Sequence, residues 1–195
     1  MVAIALGGFA RAATCAWKGA SGGSFSASAN WSCGSAPGSG DDVYFDPTMS
    51  GATNNSCSLD VAVSVKSITF QNGYTATVTG GANTVTVTNG LSMSTGTFSG
   101  GSGNITIGGT LSLTGGAFTA SSNTTQLGGS FSKTGGTFNA NGGTTFFSGG
   151  SPLSHTFGGA TLANVRLPSM RWKMRRAPSI ASRRMRRQRP SFSSA

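Results

Sequence analysis

Four side chains in this sequence can carry a carboxylate, Asp41, Asp42, Asp46 and Asp60, and the chain has no Glu. Glycosidic-bond hydrolysis commonly needs two carboxyl groups on opposite sides of the scissile bond. Asp41 and Asp42 are neighbours in Asp41-Asp42-Val43-Tyr44-Phe45, a run with strand character, so alternation sends them to opposite faces. Turn and cap hydrogen bonds are the expected role of each acid, with a weak cation site at Asp42 and Asp46 as the less favoured alternative. His155, the single His, has no acidic neighbour in sequence and is expected in a loop. No Ser lies in a nucleophile motif. The expectation is a protein without catalytic residues, metal or cofactor.

Cys15, Cys33 and Cys57 form no C-x-x-C pair, and with one His they offer too few ligands for a zinc site. One disulfide with one thiol left over is the expectation. Cys33–Cys57 is the preferred pair, because both flank the same loop. Spacing alone does not settle the pairing, and three buried thiols are the alternative.

The elements that must position these groups are legible in the composition. Of 195 residues, 31 are Gly and 6 are Pro. Gly is the poorest non-Pro helix former, which argues against a helical protein. The glycines do not fall at every third position, so a collagen helix is excluded. The formal net charge of +10 is unevenly placed: nine basic residues and no acid lie in 168–195, leaving five basic and four acidic residues before them. The basic pI therefore belongs to the last segment and does not mark the body as a nucleic-acid binder.

The body carries a 20-residue repeat. Leu91, Leu111 and Phe131 share one column, Phe98, Phe118 and Phe138 a second, and Ile107, Leu127 and Phe147 a third. Gly96, Gly116 and Gly136 form a turn column, and Gly109, Gly129 and Gly149 another. Segments such as Leu111-Ser112-Leu113 and Ile105-Thr106-Ile107 alternate apolar with polar residues, the mark of half-buried strands. Asn72-Gly73 and Asn141-Gly142 supply bends. Val85-Thr86-Val87 extends the repeat upstream, and Ile68-Thr69-Phe70 precedes Leu91 with about three extra residues in its turn. Downstream, Phe157, Leu162, Val165 and Leu167 continue it.

One such unit cannot bury its own apolar face, but stacked units can. The fold class that follows is all-β: a single-stranded parallel β-helix, or β-solenoid, of about five 20-residue turns with an N-terminal cap. Leu, Ile, Val and Phe form its core, and Thr and Ser ladders its exterior. Lys133 interrupts the Met93/Leu113 column and is expected to snorkel at a sheet margin. A hexapeptide β-helix would show a period of 6 or 18, and a calcium-binding nonapeptide solenoid would need an Asp in every unit; neither is present.

Ahead of the repeats, Trp17 and Trp31 are expected to cover the open end, since an uncovered strand edge invites association. The expected organisation is a partial signal peptide at 1–13, a cap at 14–59, solenoid repeats at 60–167 and a disordered basic tail at 168–195. The apolar run 2–9, followed by Ala10-Arg11-Ala12-Ala13, fits a signal-peptide end. It is too short to span a bilayer.

The succession Trp17-Lys18-Gly19, Asn30-Trp31, Pro37, Asp41-Asp42-Val43-Tyr44-Phe45 and Val65-Lys66-Ser67-Ile68-Thr69-Phe70 resembles the opening of bacterial exported surface proteins built from Gly/Thr-rich β-helix repeats. The repeat from Gly129 to Gly150 is similar to theirs as well. The resemblance covers about 14–167 and implies an extracellular or cell-surface location. It implies an adhesin-like or autotransporter-passenger-like role, with cell-surface glycans or other surface proteins as partners. It carries no catalytic residues. A carbohydrate-active β-helix whose acids lie in a missing part is one alternative. Another is binding of nucleic acid or an anionic surface through the tail, where nine cations would give salt-sensitive contacts. The loss of Gly and periodicity after Leu167 is also what an out-of-frame translation would produce.

Overall fold

The computed structural model describes residues 12–149, 154–159 and 165–166. The expected signal-peptide run 2–9 and the basic segment 168–195 lie outside the described residues, as do Leu162 and Leu167. The protein is an all-β parallel solenoid of about five turns. Among the described residues there is no α-helix, and one 3-10 turn occurs at Ser28–Asn30.

The chain winds through three parallel ladders in a fixed order. Ladder 1 begins with Thr14–Ala16 and Asp42–Phe45. It continues through the second parts of the long strands Val63–Phe70 and Val85–Met93, then Thr110–Leu113, Phe131–Lys133 and His155–Thr156. Ladder 2 comprises Gly23–Ser24, Cys57–Ser58, Thr77–Thr79, Thr97–Ser99, Ala117–Thr119 and Thr137–Asn139. Ladder 3 takes the first parts of the two long strands, then Ile105–Ile107, Thr124–Leu127, Thr144–Phe147 and Val165–Arg166. Parallel pairing needs long connections between partners, and here each connection is the remainder of one coil.

Register brings like onto like. Leu91 pairs with Leu111 and Leu111 with Phe131; Phe98 with Phe118 and Phe118 with Phe138; Ile107 with Leu127 and Leu127 with Phe147. All nine side chains are buried. In the Phe column the rings stack at centroid distances of 5.2 and 5.6 Å, with interplanar angles of 9° and 14°. Such offset aromatic pairs add to the burial of their area.

The coil from Ile68 to Leu91 departs from 20 residues at one corner. Ile68 and Leu91 are partners, 23 residues apart, because the turn after Phe70 is three residues longer than the one after Met93. The extra residues form the Asn72-Gly73 bend, with positive φ of 53° and 81°. They carry Tyr74 into the core, where its hydroxyl donates to Asn55 O at 2.8 Å. The 14–59 segment is continuous with the solenoid, since Thr14–Ala16 and Asp42–Phe45 are rungs of ladder 1.

Lys133 corrects the expectation of a snorkelling side chain. It is 7% exposed, and its Nζ donates to Gly158 O at 2.7 Å. A carbonyl in the next coil, rather than water, receives the ammonium. His155 is likewise not in a loop: its two-residue strand pairs with Phe131–Lys133, and its Nδ1 accepts from the Phe131 N–H at 3.1 Å.

Backbones at the corners approach too closely for a side chain. A Cβ on Gly109 would stand 1.2 Å from Asn89 O, whereas one on Gly40 would meet nothing within 4 Å. Gly109→Ala should therefore cost more than about 3 kcal/mol, and Gly40→Ala less than about 0.5 kcal/mol. Chemical denaturation of the two variants checks the contrast.

Candidate functional site

The acids and the cysteines gather in the first coils, where coil length varies. Asp41 precedes the second rung of ladder 1 and accepts from the Ala13 N–H (2.7 Å) and the Gly38 N–H (2.8 Å). Asp42, at the start of that rung, accepts from Lys66 Nζ at 2.8 Å and from Ser67 Oγ at 2.5 Å. The Lys66 hydrogen bond, helped by Ser67, holds its carboxyl below the ordinary range. The two adjacent acids thus serve different neighbours: Asp41 the N-terminal loops, Asp42 the following rung.

Asp46 is the most enclosed of the four, at 2% exposure. Its Oδ1 accepts from Thr48 N–H (2.9 Å) and Thr48 Oγ1 (2.6 Å). Its Oδ2 accepts from Gln71 Nε2 (2.9 Å) and Asn72 Nδ2 (2.8 Å). Burial pushes the Asp46 carboxyl up, but these donors outweigh it and the net displacement is downward. Asp60 accepts from Ser26 Oγ (2.5 Å) and Ser26 N–H (3.0 Å), which lower it as well. The acids are dispersed along the first coils, each with its own donors. Among the described residues no group of three or more His, Cys, Asp or Glu could hold a metal ion.

The cysteine pairing differs from the expected Cys33–Cys57. Cys15 is bonded to Cys33, with a Cα–Cα distance of 5.0 Å, and Cys57 is a buried free thiol. The reason is an antiparallel strap that spacing does not reveal. Residues 30–33 run back along 15–18, so that Lys18 meets Asn30, Trp17 meets Trp31 and Ala16 meets Ser32. Cys15 and Cys33 are the next opposed pair. Cys57 lies on ladder 2 instead, between Gly23 and Val78. Burial, and secondarily the Asp60 charge, push its thiol pKa well up. A signal for the strap existed in the mirrored order Cys15-Ala16-Trp17-Lys18 and Asn30-Trp31-Ser32-Cys33.

Trp17 and Trp31 are fully buried, with ring centroids 5.0 Å apart, and Trp31 also packs edge-on to Phe25 at 4.9 Å. The indole N–H of Trp31 donates to Phe25 O at 2.7 Å. These rings close the N-terminal end over Phe45.

The outward positions of ladder 2 present hydroxyl columns. Thr77, Thr97 and Thr137 share one column with Ala117, and Thr79, Ser99 and Thr119 share the other with Asn139. Each is half-buried or exposed, and successive rungs stand about 4.8 Å apart. The result is a regular, uncharged polar face with the Phe column directly behind it.

No family model, curated protein or solved structure matches this chain. The resemblance to exported surface proteins rests on the motifs quoted above.

Asp46→Asn replaces one acceptor oxygen by a donor that faces donors, so it should cost about 1–3 kcal/mol, read as a lowered denaturation midpoint. The pH dependence follows from the same groups. Asp42, Asp46 and Asp60 are depressed in the folded protein, so their stabilisation is present above the unfolded pKa of about 4 and fades below it. Cys57 and Tyr74 are raised by burial. Their unfolded forms lose protons first, and stability should decline above about pH 8.5. Thermal melts from pH 2 to 11 should show a plateau bounded on both sides.

Proposed function

We propose that this chain is a non-catalytic structural or adhesive module of an exported or cell-surface β-solenoid protein. Its hydroxyl columns would meet cell-surface glycans or neighbouring surface proteins. The observation that carries this reading is the ladder 2 face, where Thr77, Thr79, Thr97, Ser99, Thr119, Thr137 and Asn139 repeat along four stacked rungs. A rigid array of hydroxyls suits a repeating polyhydroxylated partner, because each rung offers the same donors and acceptors and weak contacts add along the stack. The commitment of all four carboxylates to structural donors supports the non-catalytic part of the reading.

A second reading rests on the charge layout. The nine basic residues in 168–195 are suited to nucleic acid or an anionic surface, through contacts that weaken with salt. Comparison of the full chain with a chain ending at Leu167 separates the two: salt-sensitive binding lost on truncation belongs to the basic segment.

For the favoured reading, the full chain should be retained on immobilised cell-surface polysaccharides without releasing reducing ends. Replacing Thr77, Thr97 and Thr119 together by Val should weaken retention by about tenfold or more, each lost hydrogen bond being worth about 0.5–1.5 kcal/mol, and leave the circular dichroism unchanged. Release of reducing ends, or retention indifferent to the triple substitution, would reject it.

A further inference from the structure

The first rung of ladder 1 has two sides, and its residues address them alternately. The Trp17 N–H donates to Tyr44 O and the Asp42 N–H to Ala13 O, both at 2.9 Å, so residues 13, 15 and 17 face the second rung. Ala16 and Lys18 face the other way, toward the end of the stack. Their partners come from the strap: the Ala16 N–H donates to Ser32 Oγ (2.8 Å), the Ser32 N–H to Ala16 O (3.0 Å), and the Lys18 N–H to Asn30 O (2.9 Å). The Cys15–Cys33 disulfide pins the strap at the adjacent opposed position.

We propose that the strap is a releasable cover for this edge, and that reducing Cys15–Cys33 turns the first rung into a pairing surface for a second copy of this chain. A strand edge with unpaired N–H and C=O groups is a template for another strand. The strap shows which orientation this edge accepts, since its partner there is antiparallel. A two-fold axis through Ala16 would offer the same edge of a second copy in that orientation, with Ala16 facing Ala16 and Thr14 facing Lys18. Such a contact is isologous and closes on itself, so the product is a dimer and not a fibre. Apolar surface favours the same outcome. Trp31 leaves with the strap, uncovering Trp17 and Phe25, which are 0% and 3% exposed when covered; two such uncovered ends bury one another across the axis.

The chemical step needs a dithiol as reductant. Its thiolate attacks one sulfur of the disulfide, and the mixed disulfide then closes within the reductant. Two electrons and two protons pass to the protein as the Cys15 and Cys33 thiols, and the reductant leaves as a cyclic disulfide. Cys57 takes no part, being buried on ladder 2.

The test uses the full chain and measures solution mass by light scattering, with tryptophan emission as the report on strap opening. The oxidised protein should run at its monomer mass of 19.5 kDa. Dithiothreitol should red-shift the emission and double the mass. Cys33→Ser should dimerise without reductant. Adding Lys18→Pro, which deletes an outward N–H while sparing every bond to the second rung, should return that variant to monomer. The proposal is overturned if the opened protein stays monomeric, or if reduction leaves the strap closed. Association that survives Lys18→Pro, or that continues beyond two copies, overturns it as well.

Discussion

Parallel stacking in register requires each residue to tolerate a near-copy of itself about 4.8 Å away. Apolar side chains gain from that proximity, and hydroxyls can satisfy one another along a column. Like charges in adjacent rungs repel. The sequence reflects the constraint: from Ser67 to Ser132 there is no Asp, Glu, Lys, Arg or His. The four acids and Lys66 lie before this stretch, where coils differ in length and a carboxylate can face a cation or a turn instead of its own copy. Asp42 with Lys66 and Asp46 with the Thr48 and Asn72 turns are such places. Glycine at the corners is the backbone version of the same constraint. Where one coil lies directly on the next, as Gly109 does on Asn89, there is no volume for a Cβ.

A stack held by repetition has a difficulty at its ends, where the repeat has no neighbour. The N-terminal end solves it with antiparallel geometry. The strap satisfies the outward N–H and C=O of Ala16 and the N–H of Lys18, and it cannot be mistaken for another parallel coil because it runs the other way. Trp31 of the strap then packs on Trp17, Phe25 and Phe45. Toward the other end, Lys133 replaces Met93 and Leu113 in an inward column, and Phe131 finds its partner His155 24 residues on instead of 20. A lysine inside the stack must find an acceptor there, and Gly158 O provides it. The strap breaks the repeat to close the N-terminal side of the first rung, and Lys133 breaks it within the stack.

The middle of the fold was legible because its information is periodic. Five columns at a constant offset specify register directly, and alternation specifies which side of each rung is inside. What the sequence concealed lies where the period fails. Tyr74 enters the core from a turn, not from a strand, so alternation carries no information about it. His155 looked like a loop residue because its strand is two residues long and offset from the repeat. Lys133 looked like a margin because the carbonyl that receives it belongs to an irregular coil. The polar face of ladder 2 is legible in the small, mostly polar residues that flank Val78, Phe98, Phe118 and Phe138; its partner is not, because hydroxyl columns specify a geometry of contact and not one ligand.

The disulfide was misread for a related physical reason. Counting residues between cysteines measures contour length, whereas pairing depends on which backbone segments lie opposite each other. The strap makes residues 15–18 and 30–33 opposed, so the 18 residues from Cys15 to Cys33 close to a Cα distance of 5.0 Å. Cys57 is removed from the competition by its own surroundings. Thiol–disulfide exchange proceeds through the thiolate, and burial beside Asp60 disfavours that form at Cys57. Its backbone partners are Gly23 and Val78 on ladder 2, not residues of the strap. The position that makes Cys57 a good core residue thus protects the pairing on which the end of the stack depends.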